Sequence, residues 1–171
     1  MKGVTQYSGF EKSYFLKILN QIIKIGNLQD TDKRILDFGC GLGVLKKTLH
    51  TKKVINFDIV EELSDIENWK DVKFEILVAN QVFCTFEHED LVSLLNELKV
   101  HNKDLIMIVG TSRRGLLNKI GMFLTGRFDA HDSTKLALSE EMSIYEKVGL
   151  KILDTKNIYF LCNVIKMKFV K

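Results

Sequence analysis

The pattern of apolar and polar positions in this chain switches repeatedly between two periods. Residues 10–25 carry apolar side chains at helical spacing, which predicts an amphipathic helix at the start. After it, short apolar runs of strand length alternate with segments of helical pattern. The predicted strands lie at 34–38, 53–58, 74–79, 104–110, 149–155 and 158–170, and the predicted helices between them lie at 43–50, 88–100 and from 138 onward.

Strands that alternate with helices favour a mostly parallel sheet with helices on both faces, which is the doubly wound α/β class. With 171 residues, 46% of them hydrophobic and 27% charged, the sequence is typical of one soluble globular domain spanning 1–171. Residues 1–30 are expected to form a helical cap at its N-terminal end. The chain has no internal repeat, low-complexity tract or linker.

The most informative segment is a glycine-rich turn between the first predicted strand and the helix that follows. Glycine stands on alternate positions, at Gly39, Gly41 and Gly43, and Asp37 precedes the turn. Glycine is needed where the backbone turns sharply or where a ligand lies against it, because it has no Cβ atom. A purely structural turn needs fewer glycines. Three of them at the carboxyl end of a parallel strand therefore predict a small-molecule site.

The spacing and the neighbouring acids indicate the kind of ligand. A dinucleotide site has G-x-G-x-x-G, but Val44 occupies the position of its third glycine, and no phosphate-loop pattern exists in the chain. Asp37 would repel a phosphate but suits a positively charged ligand. Asp58 ends the next apolar run, about twenty residues past the turn, where an acid can accept hydrogen bonds from both ribose hydroxyls. These features together fit an adenosine with a cationic, phosphate-free tail.

At these residues the chain resembles the class I S-adenosylmethionine-dependent methyltransferases, in particular the short, single-domain members that act on small molecules. The block 35–43 is similar to the family's cofactor motif, and Asp58 to its ribose-binding acid. Residues 72–83, 104–110 and 138–152 are similar, in order, to the family's fourth strand, its fifth strand, and its last helix, turn and strand. The resemblance implies a Rossmann-like sheet ending in an antiparallel hairpin, with S-adenosyl-L-methionine as the cofactor.

The chain departs from the family between its second and fourth strands. Residues 59–73 are too few for the helix and third strand that the family places there, so we expect a shortened region with a stub of strand at 63–66. By resemblance, Asp65 contacts the adenine amino group and Ile66 offers its backbone amide to the ring; the alternative is a solvated acid in a loop. The implied cofactor-binding residues are Asp37, Gly39, Cys40, Gly41, Gly43, Asp58, Ile59, Asp65, Ile66 and Asn80.

The implied reaction is direct in-line displacement of the sulfonium methyl group by the acceptor, which depends on positioning more than on acid–base help. Asn80 and Gln81 follow the fourth-strand segment and would face the methyl group, with Gln81 on the acceptor side. His131 lies in a polar loop before the last helix and is the candidate general base or acceptor-orienting group. The alternative is that His131 is simply a solvated loop residue.

A basic and apolar segment at 112–127 holds three of the four arginines around apolar residues at helical spacing. It predicts a lid that receives an acidic or lipid-linked acceptor and that could make peripheral contact with a membrane surface. Arg113 and Arg114 would bind a carboxylate or phosphate of that acceptor. The alternative is a helix packed on the sheet with its basic residues in solvent.

Several classes of function are disfavoured. The net charge of +3 is too small to indicate nucleic-acid binding by itself. A chain without proline also lacks the Asn/Asp-Pro-Pro-aromatic run of base-amine methyltransferases. No direct nucleic-acid binding is expected, although an RNA substrate brought by a partner stays open. No metal site is expected either, because Glu89 and Asp90 beside His88 are typical of a helix's first turn.

Cysteine usage and hydropathy predict the compartment. The three cysteines, at 40, 84 and 162, form no C-x-x-C pair, and no apolar run has the length of a membrane span. Residues 1–7 carry no apolar signal region. A reduced, cytoplasmic setting is therefore expected. Two further alternatives stay open for the function: a catalytically silent module that only binds the cofactor, and a nicotinamide oxidoreductase, whose dinucleotide spacing this chain lacks.

Overall fold

The computed structural model of the chain describes residues 9–112 and 135–170. Helices and strands alternate along these residues, as the hydrophobic pattern predicts. The helices are α1 (Gly9–Gly26), α2 (Val44–Leu49), α3 (His88–His101) and α4 (Leu138–Lys147). The strands are β1 (Ile35–Phe38), β2 (Val54–Phe57), β3 (Ile76–Asn80), β4 (Ile106–Ser112), β5 (Leu150–Ile158) and β6 (Cys162–Phe169).

The strands form one sheet in the order β2-β1-β3-β4-β6-β5. The pairs β1–β2, β1–β3 and β3–β4 are parallel, whereas β6 runs antiparallel to both β4 and β5. The predicted fold class, a doubly wound and mostly parallel sheet with a C-terminal antiparallel hairpin, is confirmed.

Alternation along each strand divides the apolar side chains between two cores, one on each face of the sheet. Ile35, Val54 and Val78 lie in the core that α1 and α2 cover. Leu36 and Leu77, on the opposite face, lie in the core that α3 and α4 cover. The face on which a side chain lies can therefore be read from its position relative to these buried residues.

Helix α3 shows how the sequence determines one of these covering layers. Glu89 and Asp90 lie in its first turn and Lys99 lies in its last turn, which suits the helix dipole at both ends. The expectation that these acids serve a helix start is confirmed. Four leucines bury one side of the helix against the sheet, namely Leu91, Leu94, Leu95 and Leu98.

The shortened region between β2 and β3 differs in part from its prediction. It contains two short 3-10 helices, Glu61–Leu63 and Trp69–Asp71, and no strand forms at 63–66, so that part of the prediction is wrong. The reason is length, since the segment must cross from β2 to β3 and has no residues left to extend alongside β2. One backbone hydrogen bond joins the segment to β2, from the Asp65 N–H to the Asn56 carbonyl at 2.9 Å.

The sheet brings the carboxyl ends of β1, β2, β3 and β4 to a single edge. The turn between β5 and β6 reaches the same edge, because Cys162 at the start of β6 pairs with Ser112 at the end of β4. Within residues 9–112 and 135–170, no helix is long and apolar enough to cross a membrane.

Candidate functional site

The glycine turn lies at this carboxyl edge and directs its backbone amides inward. The N–H groups of Gly39 and Cys40 both donate to the Phe57 carbonyl, at 2.7 and 3.1 Å. The N–H of Gly41 donates to a carboxylate oxygen of Asp58 at 2.9 Å. These three amides are therefore not free to cradle a phosphate, in contrast to the turns that hold dinucleotides. The turn offers a ligand bare backbone instead.

Two of the glycines show where a ligand has room. Gly41 has a left-handed φ of 51°, and a Cβ atom added there would meet nothing within 4 Å. Gly43 also has a left-handed φ, of 63°, but a Cβ atom there would lie 2.6 Å from Nδ2 of Asn56. At Gly43 a side chain would collide with Asn56, whereas Gly41 faces open space at the edge of the sheet.

Asp58 lies directly beneath this open space and is already oriented by the backbone. One of its carboxylate oxygens accepts the Gly41 N–H at 2.9 Å, and the other accepts the Val60 N–H at 3.1 Å. Each oxygen retains a lone pair for a further donor. The carboxylate is therefore held in one place with capacity to accept two further donors, and its binding of ribose stays a prediction.

A row of acceptor oxygens crosses the sheet beside the turn, and no described residue donates a hydrogen bond to it. Asp37, Asn56 and Asn80 lie two residues beyond Ile35, Val54 and Val78 respectively, so all three face the side that α1 and α2 cover. Oδ1 of Asn56 and Oδ1 of Asn80 are buried with no partner.

The third member of this oxygen row is a carboxylate. Asp37 is 5% exposed, and no described residue donates a hydrogen bond to its side chain. Buried acceptors normally find donors, because leaving one unpaired costs about 1–3 kcal/mol. Two unpaired amide oxygens and a buried carboxylate on three adjacent strands would suit a ligand that brings donors and positive charge.

Burial also changes the acidity of Asp37. Desolvation, together with the negative charge of Asp58, raises the pKa of the Asp37 carboxyl from 3.8 to about 7. A cation placed beside Asp37 would favour its ionised form and so gain binding energy from it. Desolvation, and then the negative charges of Asp37, Asp58 and Asp65, raise the pKa of the half-buried Cys40 thiol to about 12, so it stays protonated.

We expect the stability of the protein to fall as the pH rises from about 5 to about 8 because of Asp37. An acid whose pKa is higher in the folded state binds its proton more tightly there, so ionisation costs native stability above the unfolded value of 3.8. The Asp37→Asn variant lacks this titration. Urea unfolding across this pH range should show a wild-type stability that decreases relative to the variant, and two parallel curves would contradict the assignment.

Asp65 and Ile66, the residues predicted to contact adenine, already make contacts within the protein. Oδ2 of Asp65 forms an ion pair with Lys46 at 2.7 Å and accepts the Asn56 N–H at 2.7 Å, and the Lys46 partner lowers its pKa. The Ile66 N–H is 3.5 Å from the Ser64 hydroxyl. Contact of Asp65 and Ile66 with adenine stays a prediction, with only the second oxygen of Asp65 available.

Ile59, by contrast, is fully presented at the edge. It follows the ribose acid directly, and its side chain is 95% exposed. An isoleucine this exposed gains nothing from its own fold and would gain from covering a flat apolar ligand. Its predicted cofactor contact is therefore compatible with its position.

At the other end of the site, Gln81 follows β3 and forms hydrogen bonds with groups on β4 and β6. Its backbone has a left-handed φ of 61°, and its N–H donates to the Gly110 carbonyl at 2.8 Å. Its side-chain amide nitrogen donates to Sγ of Cys162 at 3.3 Å, and its amide oxygen accepts the Ser112 hydroxyl. Gln81 therefore links the ends of β3, β4 and β6 at the carboxyl edge, and its predicted contact with the acceptor stays a prediction.

Comparison with known proteins gives a fold but no sequence relative. No protein-family model matches the sequence, and no curated protein matches it significantly. Among solved structures, a magnesium protoporphyrin IX methyltransferase from Synechocystis PCC 6803 with bound S-adenosylhomocysteine superimposes with a TM-score of 0.65 at 13% identity. That match covers 99% of this chain and 90% of the other. The chain has the class I methyltransferase fold.

Two further structures with this methyltransferase fold are longer than the chain. An N,N-8-amino-8-demethyl-D-riboflavin dimethyltransferase from Streptomyces davawensis matches with a TM-score of 0.61 at 14% identity, covering 94% of this chain and 57% of its own. A protein described as a pericyclic reaction enzyme matches with a TM-score of 0.55 at 8% identity, covering 89% and 47%. The chain therefore spans about half the length of these two proteins.

Three of the residues predicted for the site lie outside the described part of the chain. His131, Arg113 and Arg114 fall between residues 112 and 135, as does most of the predicted lid segment. Their predicted roles stay predictions. The described part of the site consists of the glycine turn, Asp58, the oxygen row and the group around Gln81.

Sequence reasoning missed several polar residues near this edge. Asn56 is a polar residue inside an otherwise apolar strand, and this interruption of the pattern could have indicated a functional position. Tyr14, on α1, reaches the edge through a side-chain hydrogen bond with Cys162, and burial raises its pKa well above the usual tyrosine value. Glu141 lies on the buried side of α4, four residues before Tyr145, a spacing that places both on one side of the helix.

Glu141 is the centre of a buried polar cluster beneath the edge. It is fully buried and accepts hydrogen bonds from Thr111, at the end of β4, and from Tyr145 at 2.8 Å. Burial raises the pKa of the Glu141 carboxyl, although the two hydroxyl donors partly oppose the shift. The cluster fastens α4 to the end of β4 and so fixes one wall of the site.

Proposed function

We propose that this protein binds S-adenosyl-L-methionine at the carboxyl edge of its sheet and transfers the methyl group to a small-molecule acceptor. The observation that carries the proposal is the oxygen row, in which Oδ1 of Asn56 and Oδ1 of Asn80 are buried without a partner and no described residue donates to Asp37. The cofactor brings an ammonium group, a sulfonium charge and hydroxyl and amino donors. It therefore matches a site that offers acceptors and negative charge and in which the Gly39, Cys40 and Gly41 amides are already bonded.

In this proposal, different residues bind different parts of the cofactor. Asp58, held by the Gly41 and Val60 amides, would accept the two ribose hydroxyls. The bare backbone at Gly41 would lie against the amino-acid tail, whose ammonium group is placed toward Asp37 and Asn80. Ile59 would cover the adenine ring.

The bound cofactor supplies a methyl group that is already activated by the sulfonium charge. The protein's part is therefore to hold the acceptor's nucleophilic atom in line, about 3 Å from the methyl carbon, and to exclude water. Gln81 and Ser112 stand at the end of β3 and β4 where that atom would be placed. A general base is needed only for an acceptor whose proton has a high pKa, and His131 is the proposed candidate for this role.

Two other functions share parts of these observations. A protein with this fold is described as a pericyclic reaction enzyme, so the fold alone does not imply methyl transfer. A module that only binds the cofactor would have the same oxygen row. A nicotinamide oxidoreductase is disfavoured, because the chain lacks the dinucleotide spacing of glycines and the Asp37 carboxylate would repel a pyrophosphate.

Calorimetry with S-adenosylmethionine and with NAD tests the binding half of the proposal. We expect the first compound to bind and the second to show no heat. The Asn80→Ala variant should bind S-adenosylmethionine about tenfold more weakly, because a charge-assisted hydrogen bond contributes about 1.5 kcal/mol. Asn96→Ala, an exposed asparagine on α3, is the matched control and should bind normally.

Transfer of the methyl group is tested separately. The protein is incubated with cofactor labelled in its methyl group and a fractionated small-molecule extract, and label is followed into a new compound. Binding without any transfer would support the silent module. Preferential binding of NAD would remove the proposal altogether.

The remaining assignments rest on the sequence. We propose a small-molecule acceptor, and we keep Arg113 and Arg114 as contacts for an acidic or lipid-linked one. A cytoplasmic setting is compatible with the three free thiols among the described residues.

A further inference from the structure

Strand β5 is the outermost strand of the sheet, and most of its length is open to solvent. It lies at the end of the strand order, beside β6. Its first and last residues, Leu150 and Ile158, are buried, and those between them are exposed or half-buried. Because β5 runs parallel to β4, its first residues lie at the amino end of the sheet, opposite the edge that holds the candidate site.

Two lysines lie directly opposite each other at this amino end. Lys151 on β5 pairs with Lys168 on β6, and Lys168 in turn pairs with Ile106 on β4. Side chains of directly paired residues share one face, so both lysines lie on the face where Ile106 packs, which α1 and α2 cover in part. Both lysines are exposed. Like charges in this arrangement are destabilising, so folding alone does not favour the pair.

The nearest acid of the hairpin does not offset the charge of this pair. Neither Lys151 nor Lys168 forms an ion pair with another described residue. Asp154 pairs across the strands with Lys166, and its carboxylate lies 3.5 Å from the ammonium group of Lys156. The charge of Asp154 is therefore opposed by two other lysines.

Exposed aliphatic side chains adjoin the opposed lysines. Ile152 and Leu153 follow Lys151 on β5 and are 40% and 45% exposed. Val170 lies two residues beyond Lys168 and is 55% exposed. Together these five residues form a surface that is both cationic and apolar, which is called the β5 surface below. Clustered exposed apolar groups of this kind mark interaction sites.

The β5 surface is unsuited to the addition of another strand. The pairing of β5 with β6 shifts in register between Ile152 and Asp154, as at a β-bulge. Bulges and lysines are features by which proteins prevent edge strands from pairing. Such protection explains lysines, but it does not explain aliphatic side chains exposed beside them. A partner of this surface has to accept cations and aliphatic groups without forming a strand.

We propose that the β5 surface binds an anionic lipid membrane. Lipid phosphates lie against Lys151 and Lys168, and the three aliphatic side chains enter the boundary between the headgroups and the acyl chains. A membrane meets the sheet edge-on, so side chains from both faces of β5 reach it. Nucleic acid is disfavoured as the partner, because its bases stack on aromatic side chains and none belongs to this surface.

This proposal goes beyond the proposed function and does not depend on it. Strand β5 has nine residues, so the β5 surface lies roughly 20 Å along the strand from the carboxyl edge. A membrane bound there leaves the cofactor-binding residues at the other end of the sheet uncovered.

Co-sedimentation of the full chain with lipid vesicles tests the proposal. We expect binding to vesicles of equal parts phosphatidylglycerol and phosphatidylcholine, weakened by added salt, and little binding to pure phosphatidylcholine. The double variant Lys151→Gln with Lys168→Gln should bind about 25-fold more weakly, because each lysine near an anionic surface raises the affinity about fivefold. Lys33→Gln with Lys52→Gln makes the same change of charge at exposed lysines near β1 and β2, and it should bind like the wild type.

Leu153→Ser tests the apolar part of the β5 surface. We expect its affinity for the anionic vesicles to fall about fivefold, because burial of the leucine in the lipid boundary is lost. Val100→Ser changes an aliphatic residue that is 90% exposed on α3, and this control should bind like the wild type.

Lys168→Glu separates membrane binding from a role in the fold. It places a carboxylate opposite Lys151, and opposite charges stabilise a sheet, so the melting temperature should rise by about 1–2 °C. The affinity for anionic vesicles should nevertheless fall further than in Lys168→Gln. A lower melting temperature with unchanged vesicle affinity would show that the lysine serves the fold, and the proposal would be wrong.

Other results also overturn the proposal. Equal binding to both kinds of vesicle, or wild-type affinity in the double lysine variant, would remove the role of the lysines. If a single-stranded oligonucleotide binds through these lysines while vesicles do not, the surface is one for nucleic acid. If vesicles do not bind and Leu153→Ser abolishes self-association in light scattering, the surface is an interface between copies of the chain.

Calorimetry with S-adenosylmethionine on the same samples keeps the two proposals apart. Cofactor binding without vesicle binding counts against the β5 surface alone. Vesicle binding without cofactor binding counts against the proposed function alone.

Discussion

The Asp58→Ala variant is expected to bind S-adenosylmethionine about 100-fold more weakly than the wild type. Its carboxylate would accept two ribose hydroxyls, and hydrogen bonds to a charged group contribute about 1.5–3 kcal/mol each. The variant also releases the Gly41 and Val60 amides, whose hydrogen bonds hold the carboxylate in place. Titration calorimetry measures the change.

The control for this experiment lies a few residues away. Glu62→Ala removes an exposed acid from the same loop and should leave the affinity unchanged. Asp58→Asn keeps the shape but loses the charge, so an intermediate loss of about tenfold is expected. An Asp58→Ala affinity within threefold of the wild type, with an unchanged melting temperature, would show that this carboxylate does not hold the cofactor.

The second large effect concerns stability. Glu141→Ala is expected to lower the free energy of unfolding by about 3 kcal/mol, because it leaves the buried hydroxyls of Thr111 and Tyr145 unpaired and creates a cavity. For a chain of this size the melting temperature should drop by about 10 °C. Urea unfolding and thermal melting both measure the change.

Glu146→Ala on the exposed side of α4 is the matched control, and its effect should stay within about 0.5 kcal/mol. Glu141→Gln keeps the side-chain volume and one acceptor oxygen, so it should cost about 1 kcal/mol. If Glu141→Ala lowers the free energy of unfolding by less than Glu141→Gln does, the cluster does not hold α4 to β4. Another role for the carboxylate then has to be sought.

Most of the fold could be predicted from the sequence because its signals are local and strong. Each buried parallel strand is an apolar run of the right length, and α3 has both its leucine stripe and its charged ends. The glycine turn and the acid at position 58 follow from backbone geometry, which leaves few other residues acceptable there. These features needed no knowledge of distant contacts.

The parts that were wrong or missed depend on contacts between distant segments. At the predicted stub of strand at 63–66, Asp65 meets β2 through one backbone bond and one side-chain bond, both with Asn56, and its carboxylate also forms an ion pair with Lys46 on α2. The oxygen row emerges only when strand order and register place Asn56 and Asn80 on the face of Asp37. No local pattern shows that an amide oxygen lacks a donor.

The hairpin turn illustrates the same limit from the other direction. The sequence pattern places Tyr159 and Phe160 inside the predicted strand 158–170, whereas they lie in the turn between β5 and β6, where both have a left-handed φ. Only the backbone angles show that these two residues form the turn. Their identity then becomes informative, because the conformation disfavours them.

The missing third strand leaves β2 as the last strand of the sheet, a position from which proteins commonly pair edge to edge and aggregate. Here the outward N–H and carbonyl of Asn56 are taken by Asp65, and the Asp58 N–H points to the Ser64 hydroxyl at 3.4 Å. The short loop therefore does more than join β2 to β3. It covers the free side of β2, at which another copy of the chain would add a strand. The smaller sheet therefore need not be more prone to aggregation.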